Sequence, residues 1–164
     1  MIRAATLADA PAICQIYNHF ILHSTATFEE EAIGADEMAR RIEAILPALP
    51  FLVAEIDGAV AGYAYATAWK PRSAYRHTVE SSVYIAPGSA GMGLGTRLYQ
   101  ALLQALRGRG VHAVLAGIVL PNEASVALHE AFGFCAVGRM REVGRKFDQW
   151  LDVGYWECLL AQAT

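Results

Sequence analysis

The sequence lacks the cysteines that a disulfide framework or a metal site would need. Its three, Cys14, Cys135 and Cys158, are far apart and odd in number, a usage that suits a reducing cytoplasm. Positive charge is also short. Lys and Arg number 13 against 16 Asp and Glu, giving a net charge of −3, so there is no basic footprint for nucleic acid. Long apolar runs are missing, which argues against a membrane span, and the opening MIRAATLADA has no signal-peptide core. His19, His23, His77 and His112 have no ligand spacing, so no metal is expected. No repeat, linker or low-complexity tract divides the chain, and one domain over residues 1–164 is expected. Apolar residues make up 55% against 18% charged, which excludes disorder and allows a sizeable core.

Glycine is concentrated where it carries information. Residues 84–106 read YIAPGSAGMGLGTRLYQALLQAL. A strand end at Tyr84 and Ile85 gives way to a break at Pro87-Gly88, then Gly91-Met92-Gly93-Leu94-Gly95, then a helix. Glycines at every second position keep side chains off one side of the loop, so a ligand can lie against bare backbone N–H groups. A helix starting there adds its own unpaired N–H groups and the positive end of its dipole. Together these suit a phosphate or pyrophosphate, although the same glycines would also serve a tightly packed helix start.

Around this loop the chain orders itself. Ile2-Arg3-Ala4 is a short strand candidate. Thr6 stands as an N-cap, with Asp9 three residues on where a capping box prefers Glu. Ile13, Ile16, Tyr17, Phe20 and Ile21 recur at helical spacing. Residues 23–31, HSTATFEEE, read as a loop, in which Phe28 is either a core plug or a wall of a substrate site. A second amphipathic helix spans 36–46 and is ended by Pro47 and Pro50. Strands at 51–56 and 59–67 meet at Asp57-Gly58, a type I′ turn signal. A polar, aromatic loop covers 69–77. The strand 78–85 puts Val79, Ser81, Val83 and Ile85 on one face and Glu80, Ser82 and Tyr84 on the other.

Beyond the glycines, a helix over 96–107 turns Leu98, Leu102, Leu103 and Leu106 to the core and ends at Gly108 and Gly110. VHAVLAGIVL, residues 111–120, is apolar enough for a strand covered on both faces. Pro121-Asn122 breaks it. A short helix at 123–131, stopped by Gly133, precedes strands at 134–143 and 151–160. Trp150, Tyr155 and Trp156 read as core or interface aromatics. The strand–helix–strand crossover about the glycine loop implies one parallel pair in an otherwise antiparallel sheet, an α/β fold.

The glycine spacing excludes two common phosphate loops. G-x-G-x-x-G would need glycine at 96 or 98, where Thr96 and Leu98 stand, and the Gly-Lys-Ser/Thr of a Walker loop is absent. The residues resemble instead the GCN5-related N-acetyltransferase (GNAT) superfamily. Its pyrophosphate loop, Q/R-x-x-G-x-G/A, falls on Ala90-Gly91-Met92-Gly93-Leu94-Gly95, with Ala90 in place of Gln or Arg. Asn122, Leu128 and Phe132-Gly133-Phe134 match a second motif of that family. YRHTVESSVYI, LPNEASVALHEAFGF and WLDVGYW, with WKPRSAY at 69–75 and Asn18-His19, are similar to its phosphinothricin N-acetyltransferase group.

That resemblance implies a mixed, mostly antiparallel GNAT-type sheet with helices on both faces. It implies acetyl-CoA as co-substrate, a homodimer, and direct attack without an acyl-enzyme. The acceptor it implies is the α-amino group of a small glutamate- or methionine-derived amino acid, such as phosphinothricin, methionine sulfone or methionine sulfoximine. Another amine acceptor, or a non-catalytic acyl-CoA sensor, is the alternative.

An α-ammonium is mostly protonated near neutral pH, so a general base is useful. Glu80, a carboxylate within an apolar strand where burial raises its pKa, is the candidate, or else an edge-facing Glu. By resemblance it is the base. His129 stands where many members carry a Tyr general acid, and would otherwise be a helix histidine. Asn122 and Ser125 are candidate cofactor contacts, Asn122 doubling as a helix cap. The backbone of Val83, Tyr84 and Ile85 is implied to pair with pantetheine like an added strand. Gly91, Met92, Gly93, Leu94, Gly95 and Thr96 are to hold the pyrophosphate. Arg72 suits a carboxylate, sulfone or phosphinate bidentately, or else is a solvated loop arginine, with Lys70 and Arg76 lesser candidates. Phe28, Tyr75 and Ser82 complete the expected substrate site.

Overall fold

The computed structural model describes residues 1–160, so the last four positions of the expected 1–164 domain lie outside the described residues. Seven strands form one sheet: β1 (Ile2–Ala4), β2 (Phe51–Ile56), β3 (Ala59–Ala68), β4 (Thr78–Ile85), β5 (Ala113–Leu120), β6 (Cys135–Lys146) and β7 (Gln149–Leu159). Their order is β1-β2-β3-β4-β5-β7-β6. Every neighbouring pair is antiparallel except β4–β5. Helices α1 (Ala10–His23), α2 (Ala35–Ile45), α3 (Leu94–Arg107) and α4 (Glu123–Ala131) connect them.

The apolar periodicity divides the core between the two faces. Ile13, Ile16, Tyr17 and Ile21 of α1 and Met38 and Ile42 of α2 are buried with Phe51, Val53 and Tyr63. On the opposite face, Leu98, Leu102, Leu103 and Leu106 of α3 pack on Ala54, Ala61, Ala64 and Ala66. Each of those leucines contributes about 1.5–3 kcal/mol by leaving water. The small residues of β3 are what let α3 lie close. A Cβ at Gly62 would sit 3.3 Å from Leu98 Cδ1 of α3, and 2.8 Å from Ile85 Cδ1 of the neighbouring strand.

Asp9 closes the cap of Thr6, accepting from its backbone N–H at 2.8 Å and its hydroxyl at 3.1 Å. Asp9 also takes two bonds from Arg3, whose guanidinium holds the carboxyl down to about 2. The Asp57-Gly58 turn has φ of 49° and 81°, both positive as type I′ requires.

Three expectations are corrected. Helix α3 begins at Leu94, not Thr96, because Gly93 takes a left-handed N-cap (φ 71°) and two more residues enter the first turn. β5 is not covered on both faces: Val114, Ala116 and Ile118 are buried, but Gly117 between them is exposed. The last two strands run longer than expected, meeting at Phe147-Asp148, a turn with φ of 51° and 58° and no glycine to announce it. Trp156 joins the core as expected, whereas Trp150 is exposed on the outer hairpin near Val137, Met140, Val143 and Phe147.

Candidate active site

The site begins where β4 and β5 part. Their parallel pairing covers only Thr78–Ala113, Val79–Val114 and Glu80–Leu115. Beyond that, β4 stays paired to β3 as far as Ile85–Gly62, and β5 stays paired to β7 as far as Leu120–Asp152. Each strand therefore shows the other a free edge. Backbone bonds Trp69 N–H to Thr78 O and Ala86 N–H to Ala61 O fix which groups β4 spends on β3. By strand alternation the backbone groups of Ser81, Val83 and Ile85 face the gap, whereas those of Tyr84 face β3. The expected added strand thus has Val83 and Ile85 to pair with. Tyr84 contributes to the wall instead, stacked on Tyr63 at 5.3 Å.

The gap is a cleft of about 310 Å³, lined along β4 by Ser81 to Ile85 and along β5 by Gly117, Ile118 and Val119. The starts of α3 and α4 close it, through Ala90 and Gly95 on one side and Asn122, Ala124 and Ser125 on the other. Two helix N-termini thus aim their positive ends at one cavity. At α3 the first intrahelical bond of the turn is Arg97 N–H to Gly93 O, so the N–H groups of Leu94, Gly95 and Thr96 are free for a ligand. Gly91 and Gly93 hold φ of 78° and 71°, which a side chain would strain. Gly91, Met92, Gly93 and Thr96 are exposed outside the cleft lining. Ala90, where the GNAT pattern has Gln or Arg, lines the cleft with a methyl group alone.

Glu80 lies at the base of the gap, half-buried. Burial pushes its carboxyl above the usual carboxylate range, and the Lys70 charge partly opposes that. A Cβ built on Gly117 would be 3.0 Å from Glu80 Oε1 and 3.4 Å from the Tyr155 ring. The carboxylate therefore rests over a bare backbone, beside Tyr155. Trp69 packs edge-on against Tyr155 at 5.5 Å, and Lys70 Nζ lies 4.8 Å over Trp69. Sequence reasoning missed Gly117 and Tyr155. A lone glycine inside an apolar strand was the available signal of a close approach.

Asn122 caps α4, its Oδ1 accepting from Ser125 N–H at 3.1 Å, and its amide nitrogen remains a donor at the cleft. His129 is buried and T-shaped against Tyr99 at 4.8 Å. Its Nδ1 lies 2.6 Å from the Ser125 carbonyl oxygen, so Nδ1 carries the proton it donates there. Burial lowers its pKa and so favours the neutral ring, in which Nε2 is an acceptor; that atom has no partner among the described residues. A neutral ring so bonded has no proton at Nε2 to give a departing sulfur. The buried pair beside it, Ser81 and Tyr99, has its hydroxyls 2.5 Å apart, and Ser81 also reaches the Leu115 carbonyl oxygen at 3.3 Å.

The substrate-side residues divide. Ser82 lines the cleft on the face of Glu80. Lys70 reaches that carboxylate electrostatically. Arg72 and Tyr75 are exposed at either end of a short turn, with Tyr75 N–H bonded to Arg72 O at 3.0 Å. Phe28 is 37% exposed, so it is not a core plug; its ring lies against Gly144 of β6, outside the cleft lining. No group of His, Cys, Asp and Glu among the described residues is placed to hold a metal, and none of their helices is long and apolar enough to cross a membrane.

Comparison with known proteins follows this geometry. Residues 2–154 match the acetyltransferase (GNAT) domain family. The phosphinothricin N-acetyltransferase of Streptomyces viridochromogenes is 46% identical, over 95% of this chain and 85% of that protein. The L-methionine sulfoximine/L-methionine sulfone acetyltransferase of Salmonella typhimurium is 40% identical, over 97% of this chain and 94% of its own. Among solved structures, a putative acetyltransferase from Salmonella typhimurium with its cofactor acetyl-CoA superposes with a TM-score of 0.96 at 38% identity, covering 99% of this chain and 95% of that one.

Proposed function

The chain belongs to the GNAT acetyltransferase family and is an acetyl-CoA-dependent acyltransferase, and from that premise we propose that its acceptor is the α-amino group of a small amino acid. The relatives named for phosphinothricin and for methionine sulfoximine and sulfone support glutamate- and methionine-derived acceptors. The family match and the single seven-stranded sheet support reading residues 1–164 as one domain. Homodimer formation and a cytoplasmic setting belong to the same proposal, the exposed apolar residues of the β6–β7 hairpin supporting the first.

One observation carries the mechanism: a half-buried carboxylate stands where β4 and β5 part, over Gly117 of a cleft with a free strand edge and two helix N-termini. The donor set fits acetyl-CoA. Leu94, Gly95 and Thr96 N–H groups would hold the pyrophosphate, and Val83 and Ile85 would bond the amide-bearing arm. Bound there, acetyl-CoA supplies an acetyl group activated as a thioester.

The chain's own residues do the rest. Glu80 takes a proton from the acceptor ammonium, directly or through a water, freeing the nitrogen lone pair for direct attack on the thioester carbonyl; the C–S bond then breaks, and the departing thiolate takes up the proton that the new amide nitrogen loses. Strand N–H groups of the free β4 edge stand ready to stabilise developing negative charge on oxygen. Lys70, whose charge reaches Glu80, and the exposed Arg72 would hold the acceptor's carboxylate and side-chain anion. Asn122 presents its amide N–H to the cleft. None of the three cysteines lines it, in keeping with a route without an acyl-enzyme.

The test is thiol release from acetyl-CoA with a panel of amino acids including methionine sulfone, methionine sulfoximine and phosphinothricin. Release should depend on the amino acid, leave the acetyl group on its α-nitrogen, and come from a species that light scattering sizes as a dimer. Acetyl-CoA binding with no release for any member would overturn the acceptor assignment, and a monomer would remove the dimer.

A further inference from the structure

Lys146 is one of only two lysines in the chain, and the mechanism above gives it no part. It is 1% exposed, at the end of β6, and its ammonium donates to the Ser24 and Thr27 carbonyl oxygens, both at 2.8 Å. Those carbonyls lie on either side of Ala26, which lines the cleft, and the second immediately precedes Phe28. Two residues before Lys146, Gly144 receives the Phe28 ring: a Cβ there would meet Phe28 Cε2 at 2.3 Å and Cζ at 2.4 Å. One strand thus holds the 24–28 segment by its backbone and seats its aromatic ring. On its other side the segment is tied to α1 by Tyr17, whose hydroxyl lies 2.8 Å from Thr27 Oγ1 and donates to Glu29 Oε1 at 3.0 Å.

We propose that Lys146 is a positioning residue for the acceptor site: its ammonium fastens the 24–28 segment to β6, and so sets Ala26 and Phe28 against the acceptor amino acid. The proposal rests on the amino-acid acetyltransferase reading. Its hydrogen bonds go only to carbonyls, with the Glu30 and Glu29 charges and the Phe147 ring nearby; a buried ammonium is costly to desolvate, so core filling alone does not account for it. A methionine would fill that space without burying a charge. The two charge-assisted bonds are what the lysine adds.

The consequence is a split between the two substrates. Lys146→Met keeps the volume and removes the donors. It should raise KM for the best amino-acid acceptor about tenfold, leave KM for acetyl-CoA within about twofold, and increase amide hydrogen exchange across residues 24–31. Gly144→Ala disturbs the ring without touching the ammonium. It should reproduce the KM split, and it serves where Lys146→Met does not fold. Unchanged exchange at 24–31 in Lys146→Met would overturn the fastening. Raised exchange with unchanged acceptor KM would overturn the positioning role while leaving the proposed function standing. A wild-type protein that acetylates no amino acid would instead remove the reading beneath it.

Discussion

Replacing Glu80 by glutamine should lower kcat by about 10²–10⁴-fold, the range expected when a general base is removed, with acetyl-CoA affinity and thermal melting close to wild type. The substitution keeps the shape and the burial and deletes only the proton-accepting charge. The pH dependence gives a sharper test. Burial raises the Glu80 carboxyl above its ordinary value, and the base works only when ionised. Activity in the wild type should therefore fall as pH falls through that raised pKa. The glutamine variant should lose that acid limb altogether, its residual rate following the ionisation of the acceptor amine alone. Pre-steady-state and steady-state rates across pH would measure both. Near-wild-type kcat with an unchanged acid limb would remove Glu80 from the chemistry.

The second large effect is expected at Gly117. Its Cα lies under the Glu80 carboxylate, with room for hydrogen and nothing larger: even a Cβ would come within 3.0 Å of Oε1 and 3.4 Å of Tyr155. Valine adds two further methyls, so Gly117→Val must displace the carboxylate or the Tyr155 ring. A shift of about 1 Å in a catalytic group costs on the order of 10²-fold in rate, and kcat should fall by about that factor. Gly117→Ala asks the carboxylate to move by only a few tenths of an ångström and should lose far less. The graded series distinguishes crowding of the base from damage to the sheet, provided circular dichroism melts stay level. Wild-type kcat in Gly117→Val would mean that the position of Glu80 over this strand is unimportant to the reaction.

Several parts of the site were legible in the sequence for physical reasons. β4 was placed to the residue because its alternation is clean, and the same alternation set Glu80, Ser82 and Tyr84 on one face. Asn122 was readable as a cap because capping is local. The start of α3 was misplaced because Gly95 reads as loop, although the first turn of a helix needs no side chain and leaves its N–H groups free. β5 looked like a strand covered on both faces because Ile118 and Val119, which line an open cleft, are as apolar as core residues. Its exposed Gly117 marks the difference.

Lys146 was out of reach for a different reason. Its partners lie 119 and 122 residues away, and a lysine at the end of an edge strand ordinarily signals solvent. His129 is where the resemblance puts it, and its local setting is what the sequence could not show: its Nδ1 donates to the Ser125 carbonyl and burial lowers its pKa, which favours the neutral ring.

The central claim is that one cleft brings acetyl-CoA and the acceptor amino acid together for direct transfer across the free edge of β4. Initial-rate kinetics with both substrates varied tests this most directly. Direct transfer in a ternary complex predicts double-reciprocal lines that intersect. Parallel lines, together with an acetylated protein trapped in the absence of the amino acid, would contradict it.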